Sequence, residues 1–163
     1  MNIVLIGMPG CGKSTVGVLL AKTLICDFCD TDLVIQKMYA KSLCEILDEN
    51  GLEGFKSIEN RVLSDIRIDD SVIATGGSAV YGREAMENLK QGGILVYLKL
   101  PPEEIKKRIG NIKTRGIAMP NGMSLDELYA ERAPLYEKYA DITLDCKGLS
   151  AERCVEKIKE KLL

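Results

Sequence analysis

Asn2-Ile3-Val4-Leu5-Ile6-Gly7-Met8-Pro9-Gly10-Cys11-Gly12-Lys13-Ser14-Thr15 is an apolar run that ends in a glycine-rich turn. Residues 7–15 fit the phosphate-binding pattern G-x-x-x-x-G-K-[ST], and the apolar positions Val16, Leu19, Leu20 and Leu24 carry the chain on as a helix. Strand, turn and helix in that order are the context the pattern requires. Glycines at 7, 10 and 12 let the backbone bend tightly and aim successive N–H groups inward, which forms a concave anion site. The helix that follows contributes its positive N-terminal end. Lys13 is then in reach of the β- and γ-phosphates, and the Ser14 hydroxyl is placed to ligate Mg²⁺. Gly10, Gly12, Lys13, Ser14 and Thr15 are therefore expected to bind a nucleoside triphosphate.

The rest of the composition is that of an ordinary globular chain. With 163 residues, 46% hydrophobic and 28% charged, it fits one domain, 1–163, with a real core. A net charge of −2 gives no electrostatic footprint for nucleic acid or an anionic membrane, so any anion site must be a local cluster of Lys and Arg. The longest apolar stretches, Val16–Ala21 and Gly92–Leu98, are too short to span a bilayer, and the first residues read as a strand instead of a signal peptide. The expectation is a cytoplasmic, monomeric protein. Six cysteines include one C-x-x-C, Cys26 and Cys29, but no second pair has ligand spacing and there is no histidine to complete a metal site. They are read as reduced thiols that pack as small apolar side chains. The lack of histidine also assigns proton abstraction to a carboxylate.

Along the chain, strand-like runs at 2–6, 27–29, 71–75, 93–99 and 141–145 alternate with helical stretches near 14–25, 31–48, 52–67, 83–91, 102–110, 124–139 and 150–162. That alternation predicts a parallel sheet covered on both faces, with ligands at the carboxyl ends of the strands. One stretch is irregular: residues 111–123 carry Gly116, Pro120, Asn121 and Gly122 around Arg115. A loop of this length in a compact domain suits a lid over the nucleotide.

Three further groups carry chemistry. Asp30 and Asp32 stand at the end of the second strand, on one side of it if the chain stays extended. One such carboxylate can hold Mg²⁺ through water while the other orients a hydroxyl and takes its proton. A helix cap is the competing use of D-x-D, and Asp32 could serve in both ways. Thr75-Gly76-Gly77-Ser78 follows the third strand, where paired glycines permit close backbone approach to a ligand or make a plain turn. Lys56, Arg108, Arg115 and Arg132 are the candidate cations, Arg115 because it lies in the irregular stretch and Arg132 because it opens Arg132-Ala133-Pro134-Leu135-Tyr136.

Taken in order, these pieces resemble the shikimate kinases, small P-loop kinases of the nucleoside-monophosphate-kinase type. The resemblance runs nearly end to end. It joins Gly7–Thr15, Phe28-Cys29-Asp30-Thr31-Asp32, Gly51-x-x-x-Phe55-Lys56-x-x-Glu59, Ala74-Thr75-Gly76-Gly77, Arg115, and Arg132-Ala133-Pro134-Leu135-Tyr136 leading to Ala140-Asp141. It implies an α/β P-loop fold with a five-stranded parallel sheet of order 2-3-1-4-5, flanking helices, a substrate-binding region near 31–62 and a lid near 111–123. It also implies ATP and Mg²⁺ as cofactors and transfer to shikimate. On these positions Lys13 would hold the transferring phosphoryl group, Ser14 and Asp30 the metal, and Asp32 the acceptor hydroxyls as base. Gly76 and Gly77 would meet the acid substrate through backbone, Arg132 its carboxylate, Arg115 the phosphate charge and Arg108 the adenine.

Three positions depart from the pattern of these kinases. Lys56 replaces the arginine of F-R-x-x-E, a point charge in place of a two-pronged fork. Ser78 replaces a third glycine, and Arg115-Gly116-Ile117-Ala118 replaces R-P-L-L. The first two fall in the acceptor pocket and not in the nucleotide site: the resemblance sets Lys56 with Arg132 at the substrate carboxylate, and Ser78 adds a side chain next to the substrate. The alternatives are thus a related kinase for another hydroxylated metabolite, or a nucleotide-dependent switch without transfer chemistry. Gluconate kinases usually carry G-D-x-L-H, which a histidine-free chain lacks, and adenylate kinases match only at Gly7–Gly12.

Overall fold

The run that opens the sequence is the middle of the sheet. In the computed structural model, which describes residues 1–109 and 116–163, β1 (Asn2–Ile6) lies between β3 (Ser71–Ala74) and β4 (Gly93–Lys99). The edges are β2 (Asp27–Asp30) beside β3 and β5 (Ile142–Asp145) beside β4, so the order is β2-β3-β1-β4-β5 and every pairing is parallel. This is the order expected above. Such strands are covered on both faces, which explains why β1 and β3 read as unbroken apolar runs instead of alternating ones. The covering helices are α1 (Lys13–Leu24), α2 (Thr31–Tyr39), α3 (Leu43–Asp65), α4 (Arg83–Gly92), α5 (Pro102–Arg108), α6 (Leu125–Tyr139) and α7 (Ala151–Leu162). A 3-10 turn spans Ala79–Tyr81.

Register decides where the site falls. Leu5 pairs with Ala74 on one side and with Val96 on the other, so β1 and β3 finish level. Thr75 then ties the two ends together: its N–H and its Oγ1 both donate to the Leu5 carbonyl, at 3.2 and 2.9 Å. The loop after β1 and the turn after β3 therefore leave the sheet side by side. Beneath them Val4, Leu5, Ile6, Leu20, Val72, Leu95 and Val96 are fully buried. Truncating any one of the leucines to alanine is expected to cost about 2–5 kcal/mol.

The helix expected over 31–48 is two helices. α2 stops at Tyr39 because Ala40 adopts a left-handed conformation (φ 51°), and α3 starts at Leu43 with Ser42 as its cap. Ser42 Oγ accepts the Glu45 N–H at 3.2 Å, the Ser-x-x-Glu arrangement that starts helices. A second break follows at Gly51, where φ 72° and ψ 177° kink α3 between residues 43–50 and 52–65. The two breaks turn one stretch of helical sequence around the acceptor side of the cleft.

Candidate active site

At the carboxyl ends of the strands lies a cleft of about 420 Å³, with Lys13, Asp30, Asp32, Gly76 and Arg132 among its walls. Its first wall is the glycine-rich loop. Gly10 and Gly12 take φ 79° and 102°, values that favour glycine, and a Cβ on Gly10 would stand 2.9 Å from Ile109 Cγ1. Lys13 is buried and donates to the Gly7 and Met8 carbonyls at 2.6 and 2.9 Å, so the ammonium stays inside the curve of its own loop. Ser14 and Thr15 open onto the cleft, and Ser14 Oγ faces Asp30 Oδ2 across 3.5 Å. Arg108, at the end of α5, lines the same mouth with its guanidinium against Gly12.

The two aspartates do not share a strand face. Asp30 ends β2 and caps α2, its Oδ1 accepting the N–H groups of Asp32 (2.9 Å) and Leu33 (3.4 Å). Asp32 already stands in the first turn of α2. The cap is therefore Asp30 and not Asp32, because the chain turns helical at Thr31 before a second extended residue can form. Capping leaves Asp30 Oδ2 turned to Ser14 and frees the Asp32 carboxylate for the cleft.

Opposite the loop, Gly76 marks a convergence of carboxylates. A Cβ there would stand 2.5 Å from Asp32 Oδ1 and 2.9 Å from Glu59 Oε2, a space only glycine leaves open. Burial pushes the Asp32 carboxyl up to about 6; neighbouring Asp30 adds to the rise and Lys13 opposes it. Glu59, on α3, is pushed up to about 7, again first by burial. The Ser78 hydroxyl opposes that shift by donating to Glu59 Oε1, Asp32 reinforces it, and Arg132 and Lys13 oppose it. Glu59 Oε2 is buried with no hydrogen-bond partner among the described residues.

Arg132 is 1% exposed, an unusual depth for a guanidinium. From the middle of α6 it donates through Nε to the Tyr81 hydroxyl at 3.2 Å and through Nη2 to the Ala118 carbonyl. Its Nη1 faces Gly77, where a Cβ would stand 2.9 Å away. Tyr136, one turn on, donates to the Gly77 carbonyl at 2.6 Å and fixes that turn from below. Lys56 is the sequence candidate that the cleft does not collect: its Nζ lies 4.1 Å from the Tyr81 ring centroid, behind the wall. Arg115 lies outside the described residues, as do 111–114 of the stretch expected to form the lid; its other arm brings Gly116, Ile117 and Ala118 to the cleft. Glu59 and Tyr81 were given no role by sequence reasoning. A helical signal for Glu59 existed, since Phe55 and Glu59 are spaced i, i+4 on the buried face of α3.

A glycine-rich loop on the central strand of this sheet, facing carboxylates and a buried arginine across one cleft, defines a P-loop small-molecule kinase. The family model described as shikimate kinase matches residues 9–163. The shikimate kinase of Caldanaerobacter subterraneus subsp. tengcongensis is 36% identical over 160 residues, covering 96% of this chain and 93% of that protein. That of Thermodesulfovibrio yellowstonii is 39% identical over 160 residues, covering 96% and 92%. Among solved structures, a shikimate kinase from Acinetobacter baumannii in complex with shikimate superimposes with a TM-score of 0.89 at 33% identity, covering 99% of this chain and 92% of that one. The enzyme of Aquifex aeolicus gives 0.85 at 33% identity, covering 99% and 96%. The chain belongs to the shikimate kinase family.

Proposed function

We propose that this chain transfers the γ-phosphoryl group of ATP to shikimate, giving shikimate 3-phosphate and ADP. The observation that carries the reading is the single cleft in which the Lys13 anion cradle faces Asp32 and Arg132, with Glu59 buried behind Gly76. In a phosphoryl transfer the protein supplies position and charge more than covalent chemistry. Gly10, Gly12, Lys13, Ser14 and Thr15 hold the phosphates, and Arg108 packs beside the adenine. Ser14 Oγ and Asp30 Oδ2 are hard oxygen donors facing each other, a pair that suits Mg²⁺ together with the nucleotide's own oxygens. Bound there, Mg²⁺ would supply positive charge that offsets the negative charge of the phosphates.

Asp32 orients the acceptor hydroxyl and takes its proton as the new O–P bond forms and the bond to the ADP oxygen breaks. The rise to about 6 makes it more basic than an ordinary carboxylate and still leaves it mostly ionised at neutral pH. Arg132 holds the acceptor carboxylate beside the Gly76 and Gly77 backbone. Ser78 spends its hydroxyl on Glu59, so it stiffens the pocket instead of confronting the substrate. Lys56 acts at one remove, through Tyr81. Residues 31–62 form the substrate-binding region, and Gly116, Ile117 and Ala118, from the stretch expected to form a lid, line the cleft beside it.

The reading takes residues 1–163 as one cytoplasmic, monomeric kinase domain that engages neither nucleic acid nor membrane. Among the described residues no helix is long and apolar enough to cross a membrane. An ADP-release assay with ATP, Mg²⁺ and a panel of hydroxy acids tests the proposal. Shikimate should be the best acceptor by a wide margin. A better rate with another acid would transfer the role of Arg132 to that substrate, and ATP hydrolysis alone would remove the kinase reading.

A further inference from the structure

Two cations of the acceptor side, Lys56 and Arg132, meet on one aromatic ring. The Lys56 ammonium lies 4.1 Å from the centroid of Tyr81, and the Arg132 Cζ lies 5.3 Å from it. The same tyrosine's hydroxyl accepts the Arg132 Nε–H at 3.2 Å. The ring thus holds both charges by its face and one of them also by its edge.

The alternative for holding Lys56 is weak. The ion-pair partner that Lys56 has, Glu53 Oε1, stands 3.6 Å away on a side chain that is 87% exposed. A pair so open to solvent fixes little. Arg132, almost wholly buried, needs partners for its donors, and it finds them in the Tyr81 hydroxyl and the Ala118 carbonyl. Those two contacts set the plane of the guanidinium and leave Nη1 toward Gly77 in the cleft. Tyr81 itself is placed by the 3-10 turn that follows the Gly76-Gly77-Ser78 bend. Its position is therefore coupled to the backbone that meets the acceptor.

We infer that Tyr81 is a positioning residue for the acceptor carboxylate: its hydroxyl aims the Arg132 fork into the cleft, and its ring parks the Lys56 ammonium behind that fork. The inference rests on the shikimate reading given above. It makes Tyr81 a determinant of acceptor affinity, although its side chain acts only through Arg132 and Lys56. Substrates without a carboxylate have no use for it.

The test is steady-state kinetics of wild type, Tyr81→Phe and Tyr81→Leu, with shikimate varied at saturating ATP and Mg²⁺, then with ATP varied at saturating shikimate. Tyr81→Phe keeps the ring and removes the hydroxyl. It should raise the KM for shikimate about tenfold, the loss expected for one hydrogen bond to a charged group. The kcat and the KM for ATP should stay within about twofold. Tyr81→Leu removes the ring as well and should raise the shikimate KM further, with Phe restoring part of the loss. A purely structural role would instead lower Tm and shift both KM values together, or leave both unchanged; either outcome overturns the inference. A wild-type enzyme that fails to phosphorylate shikimate overturns the functional reading and this inference with it. A working wild type whose two Tyr81 variants keep the native shikimate KM overturns the inference alone.

Discussion

Residues 7–15 build the phosphate cradle from one stretch of backbone, whereas the acceptor side draws Asp32 from α2, Gly76–Ser78 from the turn after β3 and Arg132 from α6, with Glu59 of α3 buried behind Gly76 and Ser78. The cradle depends on glycine conformations and on one lysine that bonds to its own loop. The acceptor side depends on how four elements pack, and it concentrates buried charge: two carboxylates of raised pKa and a buried guanidinium. A site made from local backbone is insensitive to distant changes in packing. A site assembled across elements responds to them, so substitutions away from the cleft should disturb acceptor affinity before nucleotide affinity.

The contrast is tested most severely by Lys13→Ala. Removing a charge aimed at the transferring group typically costs on the order of a hundred- to a thousandfold in turnover. Circular dichroism should stay unchanged, because the strands and helices of the sheet do not rest on the bonds Lys13 makes to its loop. Near-normal turnover would dissociate this loop from catalysis.

Asp32→Asn probes the other half. It keeps the shape and removes the base, so kcat should fall on the order of a hundredfold or more, with the KM for ATP little changed. If the variant loses thermal stability and keeps its turnover, Asp32 is structural.

A smaller effect concerns pH. Asp32 and Glu59 both bind protons more tightly folded, at about 6 and about 7, than as ordinary carboxylates with values of 3.8 and 4.5. The folded state therefore holds more protons than the unfolded one across that window, and stability should fall as pH rises from about 4 to about 7. Ligand-free Tm measured across that range should decline, and Glu59→Gln should flatten the decline while raising Tm at pH 8. A Tm that climbs steadily through the window in wild type would mean the carboxylates are not desolvated as described.

The smallest effect is expected of Lys56→Arg. Lysine at this position lies on the Tyr81 ring and off the cleft surface, and a guanidinium stacks on that ring equally well. The shikimate KM should stay within about threefold of wild type. A tenfold change in either direction would place residue 56 in direct contact with the acceptor.

The same contrast explains what could be read from the sequence. The cradle was legible because Gly7–Thr15 carries its signal in adjacent residues, and the strands were legible because buried parallel strands are short apolar runs. The break between α2 and α3 was not anticipated, since Ala40 is a good helix former that here takes a left-handed turn; Ser42 and Glu45 held the missed signal. Asp30 and Asp32 were seen, but their roles as cap and free carboxylate depend on whether Thr31 is strand or helix. Glu59 is visible as the last residue of Phe55-Lys56-x-x-Glu59, but its role emerges only when α3 is packed against Gly76 and Ser78. Tyr81 has no sequence pattern that ties it to Arg132, since the two are fifty-one residues apart and meet only through the fold.

The central event is phosphoryl transfer between the two halves of one cleft. Phosphorus-31 magnetic resonance of the protein with ATP, Mg²⁺ and shikimate follows that transfer directly. The γ-phosphate signal of ATP should be replaced by that of a phosphomonoester of shikimate, in step with ADP. Unchanged ATP, or inorganic phosphate in place of the ester, would contradict it.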